Sequence, residues 1–281
     1  MIVVQAVGGL GNQMFQYSFM QYLRKANDDC ALNISDFNRY QYHHGFELTK
    51  VFNLSSGITP DRCSFSINNR FYARILRKLK GFNLTTQNEF CEMCGVSFVE
   101  QRKFEKDICF IGSWQDIRYV NPVKDIILES FVFPKLDSRN NSFMDSLEGK
   151  NTVSVHVRRN DYIDHSDFKG ICTVDYYKKA YELIIKKVTS PLFIVFSDDI
   201  DWCKRELGFM SPCCVDWNTG DDSFRDMQLM SLCKHNIIAN STFSWWGAYL
   251  NKYNNKIVIC PRKWKTNCEN NYLIDTNWFA I

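Results

Sequence analysis

The sequence predicts an α/β fold with parallel sheets covered by helices on both faces, built as two halves. Three observations carry that expectation. Short apolar runs alternate with amphipathic stretches of helical length, most regularly after residue 150, and such alternation marks strand–helix–strand units. A polar, turn-rich stretch, KLDSRNNSFMDSLEGKN at 135–151, interrupts the chain near its middle and reads as a linker. The chain has 281 residues, enough for two domains of about 140 each.

Taken in order, IVVQAV (2–7) reads as a strand, followed by a glycine turn and a helix from about Gln13 to Ala26 with Asn12 as its N-cap. CALNI (30–34) and ICFIG (108–112) read as further strands, and the region between them is mixed. The second half opens with a strand at 153–157. A helix follows at about 175–188, where Tyr177, Ala180, Tyr181, Ile184 and Val188 share one apolar face. Then come strand LFIVF (192–196), a helix near 201–207, a short segment around CCVDW (213–217) and a helix at about 222–234. Strand NIIAN (236–240) leads into a helix opening at STFSWWGAYL, and strand KIVIC (256–260) follows. Ligands of such sheets bind outside the carboxyl ends of the strands.

Composition excludes several classes. A net charge of +3 is too small for a nucleic-acid binder, which concentrates basic residues on one face. No run of about 18 apolar residues suggests a membrane span. Twelve cysteines in a chain of this length are not a disulfide scaffold. MIVVQAVGGL has no basic segment ahead of its apolar run, which stops at two glycines, so a cytoplasmic protein with reduced thiols is expected. Cys91 and Cys94 form one CxxC without a second pair to complete a zinc set. Residues 69–82, NRFYARILRKLKGF, read as a basic amphipathic helix, either packed on its domain with a solvated face or in peripheral contact with the inner face of a membrane.

Four turns at predicted strand ends carry candidate chemistry. GGLGNQMFQ (8–16) resembles a nucleotide-binding turn, but Met14 stands where the third glycine of GxGxxG belongs. Asp36 could still serve as the acid such a fold requires. Asn12, Gln13 and Gln16 suit hydroxyls or phosphate oxygens, and a plain tight turn is the alternative. HVRRND (156–161) places two arginines at a strand's carboxyl end, where a guanidinium fork can grip a diphosphate; surface ion pairing is the alternative. ANSTFSWWGA (239–248) sets small hydroxyl residues at a strand-to-helix junction, which leaves backbone N–H groups and the helix dipole for an anion. Trp245 and Trp246 beside it read as core. FSDDID (196–201) contains Asp199 and Asp201 as a DxD, a pattern that binds a divalent metal in many sugar transferases; the nearby arginines can do the same electrostatic work.

Together GGLGNQMFQY (8–17), HVRRNDY (156–162) and ANSTFSWWGAYL (239–250) resemble the motifs of the α-1,2-fucosyltransferases of glycosyltransferase family 11, and FELTKVFNL (46–54) and FIGSWQD (110–116) resemble its connecting segments. The family usually carries Gly or another small or polar residue before the motif's Asp, and Asn160 is a tolerable variation there. Eukaryotic members carry a membrane anchor, and this chain looks like a bacterial member. The resemblance implies a GT-B-like fold, two Rossmann-type halves with the active site in the cleft between them. Residues 1–150 would form the acceptor-side domain and 151–281 the donor-binding domain. It implies GDP-L-fucose as donor, a galactose-terminated oligosaccharide as acceptor, inversion to an α-1,2 linkage, and no metal cofactor. Carried onto this sequence, it places Arg158 on the β-phosphate. It puts the turn of Asn240, Ser241, Thr242, Phe243 and Ser244 on the phosphates, with Asp226 and His156 on the nucleoside. Gly11 and Asn12 would reach the donor phosphate, with Arg159 beside it. Asp161, Asp164, Glu47, His43 and His44 are candidates for the general base, with Arg159–Asp161 alternatively a structural ion pair. Two other readings compete: an NAD-dependent oxidoreductase built on the N-terminal glycine turn, and a carbohydrate-binding protein without catalysis.

Overall fold

A computed structural model describes residues 1–37, 44–60, 89–91, 98–105, 107–269 and 271–281. The basic segment 69–82, His43 and Cys94 of the CxxC lie outside the described residues. Two compact units are present, Met1–Val132 and Phe133–Ile281. The division falls earlier than the 150/151 boundary expected from the sequence. The stretch read as a linker contains a helix, Ser138–Asp145, capped by Asp137. Its Asn140 is 1% exposed and bonded to Asn218, so it belongs to the second unit's interior.

Among the described residues the first unit holds five parallel strands: β1 (Ile2–Gln5), β2 (Cys30–Asn33), β3 (Ile58–Thr59), β4 (Glu89–Cys91) and β5 (Ile108–Ile111), in the order β3-β2-β1-β5-β4. Helix α1 (Leu10–Arg24) follows β1, and thirteen of its fifteen residues are buried. Among the described residues, the short helices α2 (Leu48–Phe52), α3 (Ile117–Val120) and α4 (Lys124–Ser130) follow. Phe19 of α1 stacks on Trp114 with ring centroids 4.1 Å apart, and Phe110 meets Phe19 edge-on at 5.4 Å. Such aromatic pairs contribute about 0.5–1.5 kcal/mol beyond the area they bury.

The second unit begins with α5 (Ser138–Asp145) and continues through β6 (Asn151–Val157), α6 (Val174–Lys187), β7 (Pro191–Ser197), α7 (Ile200–Glu206) and β8 (Cys213–Val215). It then runs through α8 (Phe224–Leu232), β9 (His235–Ile237), α9 (Thr242–Tyr249), β10 (Val258–Cys260) and β11 (Phe279–Ala280). All six strands are parallel, in the order β11-β10-β9-β6-β7-β8. The chain therefore starts at β6, builds outward to β8, returns to lay β9 against the other side of β6, and builds outward again. That is the doubly wound order of dinucleotide folds, and β6/β9 is its switch point. Period-2 alternation sends Val153, Val155 and Val157 into one core with Tyr177, Ala180 and Ile184 of α6. Ser154 and His156 face the opposite side, where Ser154 accepts a 2.7 Å hydrogen bond from Asn236.

Trp245 and Trp246 are fully buried, as core residues should be. The nine described free cysteines form no disulfide. No helix among the described residues is long and apolar enough to cross a membrane. Gly247 sits where α9 meets α8: a Cβ there would lie 2.9 Å from Met230 Cβ. Gly247→Ala should cost about 1–3 kcal/mol of stability through overpacking. Urea denaturation checks this, and an unchanged midpoint would show that the two helices can part freely.

Candidate active site

Parallel strands end on a common edge, and the helices that follow them begin there. At the switch point of the second unit this edge gathers the residues after β6, Arg158 to Asp161, and the residues after β9, Asn240 to Ser244. Tyr162 ties the two segments together, its phenol donating to the Asn240 carbonyl at 3.2 Å. Burial pushes the Tyr162 pKa up to about 12, which keeps that donor protonated.

Asp198, at the end of β7, organises the arginines. Its carboxylate accepts from the backbone N–H of Arg159 at 2.9 Å and of Asn160 at 3.3 Å. Arg158 Nε lies 3.3 Å from the same carboxylate and donates to Asp161 at 2.8 Å. Burial alone would weaken the Arg158 charge; the Asp161 hydrogen bond and the Asp198 charge outweigh it, leaving the guanidinium pKa raised. Arg159 turns the other way. Its Nε donates to Asp199 at 3.0 Å, and its guanidinium lies 4.2 Å from the centre of the Trp202 ring. The ion pair considered between Arg159 and Asp161 is thus replaced by Arg158–Asp161 and Arg159–Asp199. Asp198 gave no sequence signal of this role, because it only appeared as the residue before a DxD.

One acid of the DxD is otherwise employed, while Asp201 is exposed. Asp199 caps α7, accepting from Trp202 N at 3.1 Å through one oxygen while the other takes Arg159. Those two bonds, the cap first, hold its carboxyl below the usual range.

On the β9 side, Ser241 is the N-cap residue of α9 but makes no side-chain cap bond. The first N–H groups of a helix have no intrahelical acceptor, so Thr242, Phe243 and Ser244 present donors at the positive end of the dipole. Ser244 Oγ turns inward to the carbonyls of Ser241 and Ala239 at 3.3 and 3.4 Å; its hydroxyl is structural, and only its backbone suits an anion. Asn240 spends its amide on the Trp264 carbonyl at 3.3 Å. His156 is 6% exposed, its ring 5.8 Å from that of Phe243, and its Nδ1 is buried without a partner. Burial, with the Arg158 charge behind it, drops its pKa to about 3, so the imidazole is neutral. An unpaired buried nitrogen costs free energy until something bonds it, and a ligand at this edge can do so. Asp226 lies in the first turn of α8, which opens at the same edge; burial lifts its carboxyl to about 7 despite the hydrogen bond from Asn218 at 2.8 Å. A groove of 380 Å³ beside the arginines is lined by Tyr162, Phe168, Lys169 and Trp202.

The first unit uses its edge differently. α1 starts at Leu10 with Gly9 as N-cap, so Asn12 is inside the helix and is not its cap. The Leu10 N–H is taken by the Glu47 carboxylate at 2.9 Å. A buried carboxylate therefore occupies the helix end where a dinucleotide's phosphates would sit, which counts against the oxidoreductase reading. It also withdraws Glu47, 6% exposed, from the candidate bases. Gln13 donates to the carbonyls of Gly8 and Gly45 at 2.8 and 2.9 Å, and Gln16 bridges Val7 N and the Gly112 carbonyl at 3.0 Å each. Both are buried struts and offer nothing to a ligand. Gly11 is buried in the helix. Asn12 is half-buried and accepts from Gln115 at 3.0 Å. Gly8, at φ +80°, leaves room for it, since a Cβ there would lie 2.5 Å from the Asn12 amide nitrogen. Asp161, Asp164 and His44 are exposed.

Comparison with known proteins agrees with this geometry. The model of the family described as glycosyl transferase family 11 matches residues 64–281. The chain is 33% identical to an alpha-1,2-colitosyltransferase of Escherichia coli, over 94% of this chain and 92% of that relative. It is 25% identical to the galactoside 2-alpha-L-fucosyltransferase SEC1 of Bos taurus, over 88% of this chain and 63% of that one. Its fold is like that of the fucosyltransferase NodZ from Bradyrhizobium, with a TM-score of 0.52 at 12% identity, covering 88% of this chain and 92% of that chain. The fold class is accordingly GT-B-like, with two Rossmann-type halves.

Removing the Asp199 cap with Asp199→Ala should cost about 0.5–2 kcal/mol of stability. Chemical denaturation reads it out, and an unchanged unfolding free energy would mean that the carboxylate is not committed to α7.

Proposed function

Because this chain belongs to glycosyl transferase family 11, we propose that it moves L-fucose from GDP-β-L-fucose to the 2-hydroxyl of a terminal galactose, with inversion to the α-1,2 linkage. The observation that carries the reading is the pairing of Arg158 with the open N-terminus of α9 at the β6/β9 switch point. The α-1,2 linkage in the name of the Escherichia coli relative and the galactoside acceptor in the name of the Bos taurus relative support it. The first of these names also makes colitose the competing donor sugar.

Transfer breaks the bond between fucose C1 and the β-phosphate oxygen. Negative charge grows on the departing GDP while the sugar gains oxocarbenium character. Only interactions stronger at that moment speed the step. Arg158, held in place by Asp161 and Asp198, and the N–H groups of Thr242, Phe243 and Ser244 form a positive environment that needs no rearrangement. In this reading that environment does the work of a metal, and each Asp199 oxygen already accepts a hydrogen bond. Arg159 supports the site through Asp198 and Trp202. His156 and Asp226 hold the nucleoside. The second unit takes the donor, and the first is assigned to the acceptor side. Asp161 is the proton acceptor: one oxygen rides on Arg158, and its side chain is 54% exposed.

The acceptor is tested with a panel of galactose linked β1,3 or β1,4, lactose and lipid-linked glycans. GDP-fucose and GDP-colitose are supplied in parallel, an arm contains EDTA, and products are analysed for linkage. Product from colitose alone, or loss of product in EDTA, would overturn the corresponding part of the reading. Arg158→Ala should lower turnover by about 10²–10³, the scale for one lost electrostatic donor; near-normal turnover in a folded variant would refute its place on the leaving group. Asp161→Asn should lower the rate and erase the acidic limb of its pH profile. A normal rate with an unchanged profile would remove Asp161 as the base.

A further inference from the structure

Asp226 is the end of a buried polar chain that starts in the stretch expected to be a linker. Trp217 Nε1 donates to Asn140 Oδ1 at 3.0 Å, and Asn140 Nδ2 donates to Asp137 at 2.8 Å. An indole N–H can only donate and a carboxylate oxygen accepts, so these two contacts decide which way the Asn140 amide points. Asn140 in turn forms a paired amide contact with Asn218: its Nδ2 donates to Asn218 Oδ1 at 2.9 Å, and Asn218 Nδ2 donates back at 3.2 Å. Asn218 Nδ2 therefore faces Asp226, donating to its Oδ1 at 2.8 Å. Asn140 is 1% exposed and Asn218 8%, and Phe143 and Arg139 of α5 pack on the Trp217 ring at 5.2 and 4.5 Å. The amide polarity is thus passed from Trp217 to Asp226 through partners that cannot rotate without leaving a buried polar atom unpaired.

We propose that Asn218, oriented by Asn140 and Trp217, is the positioning residue of the Asp226 carboxyl group: it holds one oxygen and turns the carboxylate to accept the paired N–H donors of a guanine-type base. This rests on the donor-nucleotide reading above. The Asn218 bond favours the ionised form, which is the form that such donors prefer, whereas burial favours the protonated one and leaves the carboxyl near 7. The charged groups on the neighbouring segments include Asp137, the cap residue of α5, Arg139 on α5, Asp221 and Asp222 in the turn before α8, and Arg225 on α8. Arg225 is occupied by Asp137 and Asp222 at 2.9 and 2.8 Å.

The sign follows. GDP should bind more tightly as pH rises through about 7 and level off above it. Removing the bond in Asn218→Ala should move the Asp226 midpoint upward by about one unit. GDP binding at pH 7 should then weaken roughly fivefold, with the two proteins converging at high pH. Trp217→Phe, which removes the indole N–H while keeping a ring, should shift the midpoint in the same direction by letting the amide pair invert. The Asp226 midpoint is read directly by carboxyl ¹³C NMR on nucleotide-free protein, and GDP affinity by calorimetry at several pH values. Equal midpoints in wild type, Asn218→Ala and Trp217→Phe would overturn the inference even if GDP binds normally. Shifted midpoints without GDP binding to the wild type would uphold the positioning and overturn the donor reading instead.

Discussion

The reversal of strand order between β6 and β9 is the constraint on which the second unit's chemistry depends. A parallel sheet needs a crossover after every strand, and each crossover normally covers the gap beside the strand it leaves. Where the chain turns from building one side to building the other, two neighbouring strands send their crossovers to opposite faces, and the space between them stays open. Nothing in HVRRND or ANSTFS alone makes a site. The two are far apart in sequence, and the winding of the sheet brings their turns to one edge.

Once there, the charges need restraint. Two adjacent arginines repel each other and would move freely on a loop. Asp198 takes both backbone N–H groups that follow Arg158 and lies beside the Arg158 guanidinium. Asp161 and Asp199 then divide the two arginines between them. The result is a positive group held by fixed dipoles and partners before any ligand arrives, the condition under which electrostatics helps most in catalysis.

The two units contain the same strand–turn–helix device and use it in opposite ways. After β1 the helix N-terminus is sealed by the Glu47 carboxylate, and Gln13 and Gln16 brace the turn from inside. After β9 the cap residue Ser241 contributes no side-chain bond to its helix. A sealed dipole stabilises the fold, and an open one is available for an anion. The residue types at the two turns, small and polar in both, do not disclose this difference.

Periodicity and turn chemistry were enough to determine the strands and helices of the second unit to within two or three residues, α5 and β11 excepted, because its alternating valines and its amphipathic helices are local patterns. They also exposed the arginine pair and the serine–threonine turn, since charge and small hydroxyls stand out beside apolar strands. Helix α5 was hidden, because its Asn140 is held by Asn218, almost eighty positions away, and not by an apolar stripe. The start of α1 was displaced for the same reason: Glu47 caps it from α2's side of the chain, so Asn12 is not needed for that task. Which acid pairs with which arginine, which glutamines are struts, and which way an amide faces Asp226 are matters of distance across the fold. Only tertiary structure decides them, because hydrogen bonds are set by geometry over a few ångströms and sequence carries no such coordinate.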